Sequence, residues 1–246
     1  MHGLEAGLRR VAKTRRLLVA TDFDGTLAPL VDRPDAVAPD HGAVAALVSL
    51  SELPETHVAV ISGRSRAVLE EHLGQANFLL AGSHGAELEE LDGRPNDVEE
   101  LLDRVADRLG GLAEEYHGAL IERKPTAVAF HYRKVDEDRQ TEAADRATTV
   151  AEEFEGVRIQ PGHRVVELVT GSVNKGDALD AIRRKLEATG TVFVGDDRTD
   201  EHAFARLLPA DLAVKVGPGS TCATVRVDSQ SEVAPLYRRL LELRVR

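Results

Sequence analysis

Leu17-Leu18-Val19-Ala20-Thr21-Asp22-Phe23-Asp24-Gly25-Thr26 decides the fold, because a short apolar run ends in two carboxylates one residue apart. Leu17 to Thr21 reads as a strand buried on both faces, as in a parallel sheet. The acids then stand at its carboxyl end, where open α/β sheets place their ligands. Downstream, Thr191-Val192-Phe193-Val194 runs into Gly195-Asp196-Asp197-Arg198-Thr199-Asp200 and repeats the strand-then-acid design. Acids gathered at the mouth of one sheet repel each other unless a divalent cation lies between them, and all-oxygen donors point to Mg²⁺.

Outward from this stretch, short β-rich runs alternate with helical ones. Val58–Ser62, Phe78–Gly82, Leu212–Val216 and Thr224–Val227 read as further parallel strands. His41–Leu50, Arg64–Leu73, Asn174–Ala188, Asp200–Leu207 and Val233–Leu243 read as helices. The alternation predicts an α/β protein with a doubly wound, Rossmann-like parallel sheet. The middle differs: a helix (Asp97–Tyr116), two strands (Ala119–Arg123, Ala127–Tyr132), a second helix (Asp136–Phe154) and two more strands (Val157–Gln160, Arg164–Val169). With Pro125 and Pro161-Gly162 as turn markers, this near-repeat predicts an inserted α+β domain, an antiparallel sheet backed by two helices. The expected division is a core of residues 1–88 and 170–246 and an insertion of residues 89–169.

The chain has 246 residues, 42% apolar and 30% charged, enough for two packed units. No apolar run approaches the roughly 20 residues needed to span a bilayer, and Met1–Arg16 lacks the apolar centre of a secretory signal. The single cysteine, Cys222, suits a reducing cytosol. A net charge of −11 argues against a nucleic-acid partner. With only 4% aromatic residues and no tryptophan, any sugar must be held mainly by hydrogen bonds.

The residue types suit phosphoryl transfer. A carboxylate can attack phosphorus to give an acyl phosphate that water later hydrolyses. Asp22, nearest the strand end, is the candidate nucleophile. Asp24 can protonate the leaving oxygen and then deprotonate the attacking water. Gly25 lets backbone amides approach phosphate oxygens, and Thr26 is expected to hydrogen-bond to the acids. Asp196 is the candidate metal ligand of the last strand, with Asp197 and Asp200 ligating as well or orienting their neighbours. Lys175, in Asn174-Lys175-Gly176, is placed to neutralise the nucleophile and the transferring group. In Ser62-Gly63-Arg64, Ser62 can donate to phosphate and Arg64 can clamp an anion.

The order Asp-x-Asp-Gly-Thr, Ser-Gly-Arg, Lys175, Gly-Asp-Asp-x-Thr-Asp resembles the haloacid dehalogenase superfamily of phosphotransferases. Within it the chain is similar to the trehalose-6-phosphate phosphatases. The residues that carry this are Gly82-Ser83-His84-Gly85-Ala86-Glu87, Glu122-Arg123-Lys124, Phe130-His131-Tyr132-Arg133, Glu167 ahead of Asn174-Lys175-Gly176, and Val214-Lys215-Val216-Gly217. One departure is Val169-Thr170-Gly171 after Glu167, where the family often carries a proline. The resemblance implies that the insertion is a mobile cap, that Glu122, Lys124 and Glu167 bind sugar hydroxyls, and that Lys175 and Asn174 belong to the phosphate site. It also implies a Mg²⁺ site of Asp22, the Asp24 backbone carbonyl and Asp196, while His84 is a candidate sugar contact.

The function expected on this basis is Mg²⁺-dependent hydrolysis of trehalose 6-phosphate by a cytosolic monomer coupled functionally to a separate trehalose-phosphate synthase. Rival readings are a glycosyl-phosphoglycerate, glucosylglycerol phosphate or sucrose phosphate as substrate, phosphomutase activity, or a non-catalytic sugar-phosphate sensor.

Overall fold

A computed structural model of the chain describes residues 2–30, 37–74, 76–88, 96–124, 126–162, 164–170 and 174–245. The chain separates into two compact units, Met1–Leu91 with Val173–Arg246, and Asp92–Ser172. Residues 89–95, with which the expected insertion begins, residues 171–173 and the turn marker Pro125 lie outside the described residues, whereas the expected boundary at 169/170 falls inside the strand Val165–Thr170. Among those described, no helix is long and apolar enough to cross a membrane.

Among the described residues, the first unit is built on six parallel strands: β1 (Leu17–Thr21), β2 (Thr56–Ile61), β3 (Phe78–Ala81), β8 (Gly190–Gly195), β9 (Leu212–Val216) and β10 (Val225–Val227). Their order is β10-β9-β8-β1-β2-β3. The chain winds outward from β1 through β2 to β3, then returns to lay β8 on the other side of β1. That reversal is the switch point at which doubly wound sheets bind ligands. All five β1 residues are buried, and each fully buried Leu or Val contributes about 1.5–3 kcal/mol of hydrophobic stabilisation.

Side chains alternate across the sheet. Leu17 and Val19 join one apolar cluster with Leu47 and Leu50 of α2 (His41–Ser51) and Leu236 and Leu240 of α8 (Val233–Arg244). Leu18 and Ala20 join a second with Leu179 and Ile182 of α6 (Lys175–Leu186) and Phe204 of α7 (Glu201–Phe204). Helices therefore cover both faces, which is why the strands read as continuous apolar runs.

Three departures from the sequence reading in this unit have a local cause. The polar start folds as helix α1 (His2–Val11), whose Leu8 and Val11 are buried in the first cluster. A sparse apolar stripe on a charged segment suffices for a helix that docks on a core. Helix α3 begins at Arg66, not at Arg64 (Arg66–Leu73), because Ser65 caps it by accepting from Val68 N. Helix α7 is shorter than expected: a 3₁₀ turn takes Arg198–Asp200, and α7 stops at Phe204 ahead of Pro209.

The second unit holds α4 (Asn96–Glu114), β4 (Leu120–Arg123), β5 (Ala127–His131), α5 (Gln140–Glu152), β6 (Val157–Gly162) and β7 (Val165–Thr170). Its antiparallel sheet runs β4-β5-β7-β6. Val128, Phe130, Val166 and Leu168 pack with Leu102, Leu109, Ala147 and Val150 of the two helices in a core of their own. Pro161-Gly162, expected as a turn, instead ends strand β6, pairing with Val166 and Val165. An edge strand accommodates a proline because one side of its backbone needs no ladder donor; Arg164, at φ 59°, lies in the turn.

Candidate active site

The register of the parallel sheet assembles the acids. Thr21 pairs with Val194 on one side and Val60 on the other, so Asp22, Asp196 and Ser62 leave three adjacent strands at nearly the same level. Asp22 N donates to Val194 O at 2.9 Å, carrying the β1–β8 ladder one residue into the site. Carboxylate oxygens of Asp22, Asp196 and Asp200 lie within 4.8 Å of one another. Gly25 permits this closeness: at φ +76° it turns the loop, and a Cβ there would lie 2.0 Å from Asp196 Oδ2. Asp196 and Lys215 border a cavity of about 830 Å³ that also touches Arg198, Glu201 and Cys222.

Lys175 is 2% exposed and its ammonium lies between Asp22 Oδ1 at 2.7 Å and Asp200 Oδ1 at 2.8 Å. Asp200 Oδ2 accepts from Asp197 N at 2.9 Å, so both Asp200 oxygens have protein partners. Asp196 differs, since its Oδ1 is buried without any hydrogen bond among the described residues. A second buried lysine, Lys215, donates to the Asp196 carbonyl, a contact within reach of a sequence reading only through the resemblance.

Charge in this cluster is out of balance. Burial pushes the Asp22 carboxyl well above its usual range, against the pull of Lys175 and with a further push from Asp200. Burial and then the Asp200 charge push Asp196 up to about 6. Burial works against the Lys175 ammonium, but Asp22 and Asp200 outweigh it and hold its pKa above the ordinary lysine value. Crowded carboxylates, an orphaned buried oxygen and an all-oxygen donor set fit a hard divalent cation.

Two flanking loops carry the remaining candidates of this unit. Arg64, expected to clamp an anion, makes a two-pronged contact with Asp24: Nε to Oδ2 and Nη2 to Oδ1, both 2.7 Å. Ser62 is buried and its Oγ accepts from Arg64 N at 3.2 Å. The next loop presents His84, whose ring would lie 2.8 Å (Cε1) from a Cβ at Gly63. Burial, and then the Lys175 charge, lower the His84 pKa, which keeps the imidazole neutral at pH 7.

Two expectations change. Among the described residues, the buried Thr26 Oγ1 has no hydrogen-bond partner, so the site acids do not hold it; the turn is closed by backbone bonds, Gly25 N to Ala28 O at 2.7 Å and Ala28 N to Phe23 O at 2.8 Å. The Asn174 side chain is spent on capping α6, accepting from Gly176 N at 2.9 Å while its amide donates to Asp177 Oδ2 at 2.7 Å. That cap presents the Lys175 side chain from the first helical position.

In the second unit Glu122, Ala129 and Glu167 are cross-strand partners, so the two acids share the sheet face opposite the helices. Lys124 forms an ion pair with Glu167, and Glu122 meets His131 Nε2 at 2.8 Å. Polar groups of both signs thus line one face beside the small side chains of Ala127 and Ala129.

Comparison with known proteins agrees with this architecture. A family model described as trehalose-phosphatase matches residues 20–239. The chain is 34% identical to the trehalose-phosphate phosphatase of Mycobacterium marinum over 92% of its own length and 61% of that protein's. It is likewise 34% identical to the trehalose-6-phosphate phosphatase of Escherichia coli, over 86% of this chain and 82% of that protein. Among solved structures, the C-terminal domain of the C. albicans trehalose-6-phosphate phosphatase superposes with a TM-score of 0.68 at 26% identity, covering 98% of this chain and 97% of that one. The chain spans about three fifths of the length of the mycobacterial relative. With acids at the switch point of its parallel sheet and a family match across nearly its full length, the chain belongs to the trehalose-phosphatase family.

Proposed function

We propose that this chain is a Mg²⁺-dependent phosphatase that hydrolyses trehalose 6-phosphate to trehalose and inorganic phosphate. The observation that carries the reading is the buried Lys175 between Asp22 and Asp200, with Asp196 alongside. Two buried carboxylates with a half-buried third beside them cost a fold stability, and a charged ligand bound among them offsets that cost.

Asp22 would attack phosphorus; the P–O bond to the sugar breaks and the leaving alkoxide takes a proton from Asp24. Asp24 then removes a proton from water, whose oxygen attacks the phosphorus of phospho-Asp22; the acyl phosphate P–O bond breaks, releasing phosphate and restoring both carboxyl groups. Lys175 stabilises charge on the nucleophile and on the transferring group. Asp22, Asp196 and the Asp24 carbonyl would hold Mg²⁺, which would supply charge neutralisation at the phosphoryl group.

Substrate choice is proposed for Glu122, Lys124 and Glu167, with His84 as a neutral contact. A disaccharide carries many hydroxyls, and paired polar groups reject ligands that leave them unmatched. The chain would act as a monomer, in the cytosol, on the product of a separate trehalose-phosphate synthase; the lone exposed Cys222 is in keeping with a reducing compartment.

The test is phosphate release from trehalose 6-phosphate, sucrose phosphate, glucosylglycerol phosphate and a glycosyl-phosphoglycerate, with and without Mg²⁺. Asp22→Asn should lower turnover by about 10⁴-fold or more while leaving the fold intact. Turnover of another member in preference to trehalose 6-phosphate would overturn the substrate, and normal turnover in the variant would overturn the covalent route.

A further inference from the structure

Glu87 takes no part in the chemistry above, yet both of its carboxylate oxygens are engaged. Oε1 accepts from the Ser83 hydroxyl at 2.5 Å and Oε2 from the Arg66 backbone amide at 2.6 Å. These bonds tie the loop after β3 to the first turn of α3. Two backbone bonds run beside them, Ser83 N to Arg64 O and His84 N to Ser62 O, each 2.8 Å.

The joint is tight. Ser83, His84 and Gly85 follow one another with φ of 49°, 59° and 108°, all left-handed. Non-glycine residues persist in that region only where the surroundings hold them. A Cβ on Gly82 would lie 2.3 Å from Arg66 N and 2.8 Å from Glu87 Oε2, so the two loops touch backbone to carboxylate. Arg64 thus has its carbonyl held by Ser83 and its guanidinium on both Asp24 oxygens, while the chain two residues on is held by Glu87.

We propose that Glu87 is a positioning residue: it locks the loop after β3 onto the loop after β2, and through Arg64 sets where the Asp24 carboxylate stands. The proposal rests on reading this site as a phosphatase, with Asp24 as its proton-transfer group. Glu87 itself touches neither substrate nor Asp24. Its carboxylate fixes Arg66 N and Ser83, these fix the Arg64 backbone, and Arg64 fixes the acid.

The experiment compares kcat and KM for trehalose 6-phosphate and for p-nitrophenyl phosphate in wild type, Glu87→Ala, Glu87→Gln, Arg64→Ala and the Glu87→Ala/Arg64→Ala double variant, with melting temperatures taken in parallel. Glu87→Ala should lower kcat roughly 10- to 100-fold on both substrates, as for an ångström-scale misplacement, with KM changed by less than about threefold. Glu87→Gln should recover most of the loss, because its carboxamide oxygen can accept from Arg66 N–H while its amino group donates to Ser83 Oγ. The double variant should be no slower than Arg64→Ala alone, since a lever without its end cannot act twice.

An unchanged kcat in Glu87→Ala, no recovery in Glu87→Gln, or losses that multiply in the double variant would each overturn the proposal. If Glu87→Ala does not fold, Ser83→Ala removes one of the two bonds and should shift kcat in the same direction by less, and an unchanged kcat there overturns it too. A wild-type protein inert on both esters would overturn the phosphatase reading and this inference together, whereas an active wild type with any of the contrary results sinks only the latter.

Discussion

Lys175→Met removes one charge and little volume from the centre of the site. In the wild type the Lys175, Asp22 and Asp200 side chains are 2%, 5% and 0% exposed, and the ammonium lies 2.7 and 2.8 Å from the two carboxylates. Without it, two buried acids face each other, with Asp196 beside them, and solvent cannot screen them. Stripping one partner from a buried ion pair costs about 3–5 kcal/mol. For a protein of this size each kcal/mol moves the melting temperature roughly 2–4 °C, so the variant should melt about 6–20 °C below wild type in EDTA. A divalent cation offers the lost charge back, and excess Mg²⁺ should raise the variant's melting temperature by more than it raises that of wild type. Phosphate release should still be lost, because charge restored by the ion does not sit where the lysine sat. The assay is thermal unfolding followed by circular dichroism, in EDTA and in Mg²⁺. A loss below about 1 kcal/mol in EDTA, the size of an exposed pair, would refute the claim that these acids depend on a buried counter-charge.

Three other outcomes are expected. Gly25→Ala should abolish Mg²⁺-dependent thermal stabilisation, because the added methyl must occupy a point 2.0 Å from Asp196 Oδ2 and the backbone there is left-handed; an unchanged Mg²⁺ response would show that Asp196 is not the metal ligand. Glu122→Ala should raise KM for trehalose 6-phosphate roughly 10- to 100-fold, the worth of a charged hydrogen bond, and leave p-nitrophenyl phosphate untouched; an equal loss on both esters would mean that Glu122, through His131, only holds its sheet together. Burial, and then the Arg16 charge, lower the His57 pKa from 6.5, so the unfolded chain binds that proton more readily than the folded one. Stability from this group is therefore full above about pH 6.5 and falls as pH drops through the folded value, and His57→Gln should flatten that part of a melting-temperature curve; a curve of unchanged slope would count against it.

Legibility followed the range of the interactions. The bounds of β1 and β9 are legible to the residue, because a strand buried on both faces leaves a continuous apolar run that ends where polar residues begin. Helix α1 escaped because its apolar stripe is thin and its stability comes from the surface it docks on, not from its own composition. The end of α7 and the edge position of Pro161 are not legible in the sequence because caps and sheet edges depend on neighbours far along the chain.

From its order of residues alone, this chain determines which carboxylates meet. Each acid follows a strand directly, and parallel pairing aligns strand ends whatever the side chains do afterwards, so Asp22 and Asp196 had to converge. What their neighbours are doing was decided only by the tertiary structure. Arg64 holds Asp24 across 40 residues, Lys175 meets Asp200 across 25, and Lys124 finds Glu167 across 43. A charged side chain has several partners of opposite sign within reach, and the choice among them is made by packing and burial, which exist only once the fold has closed around them.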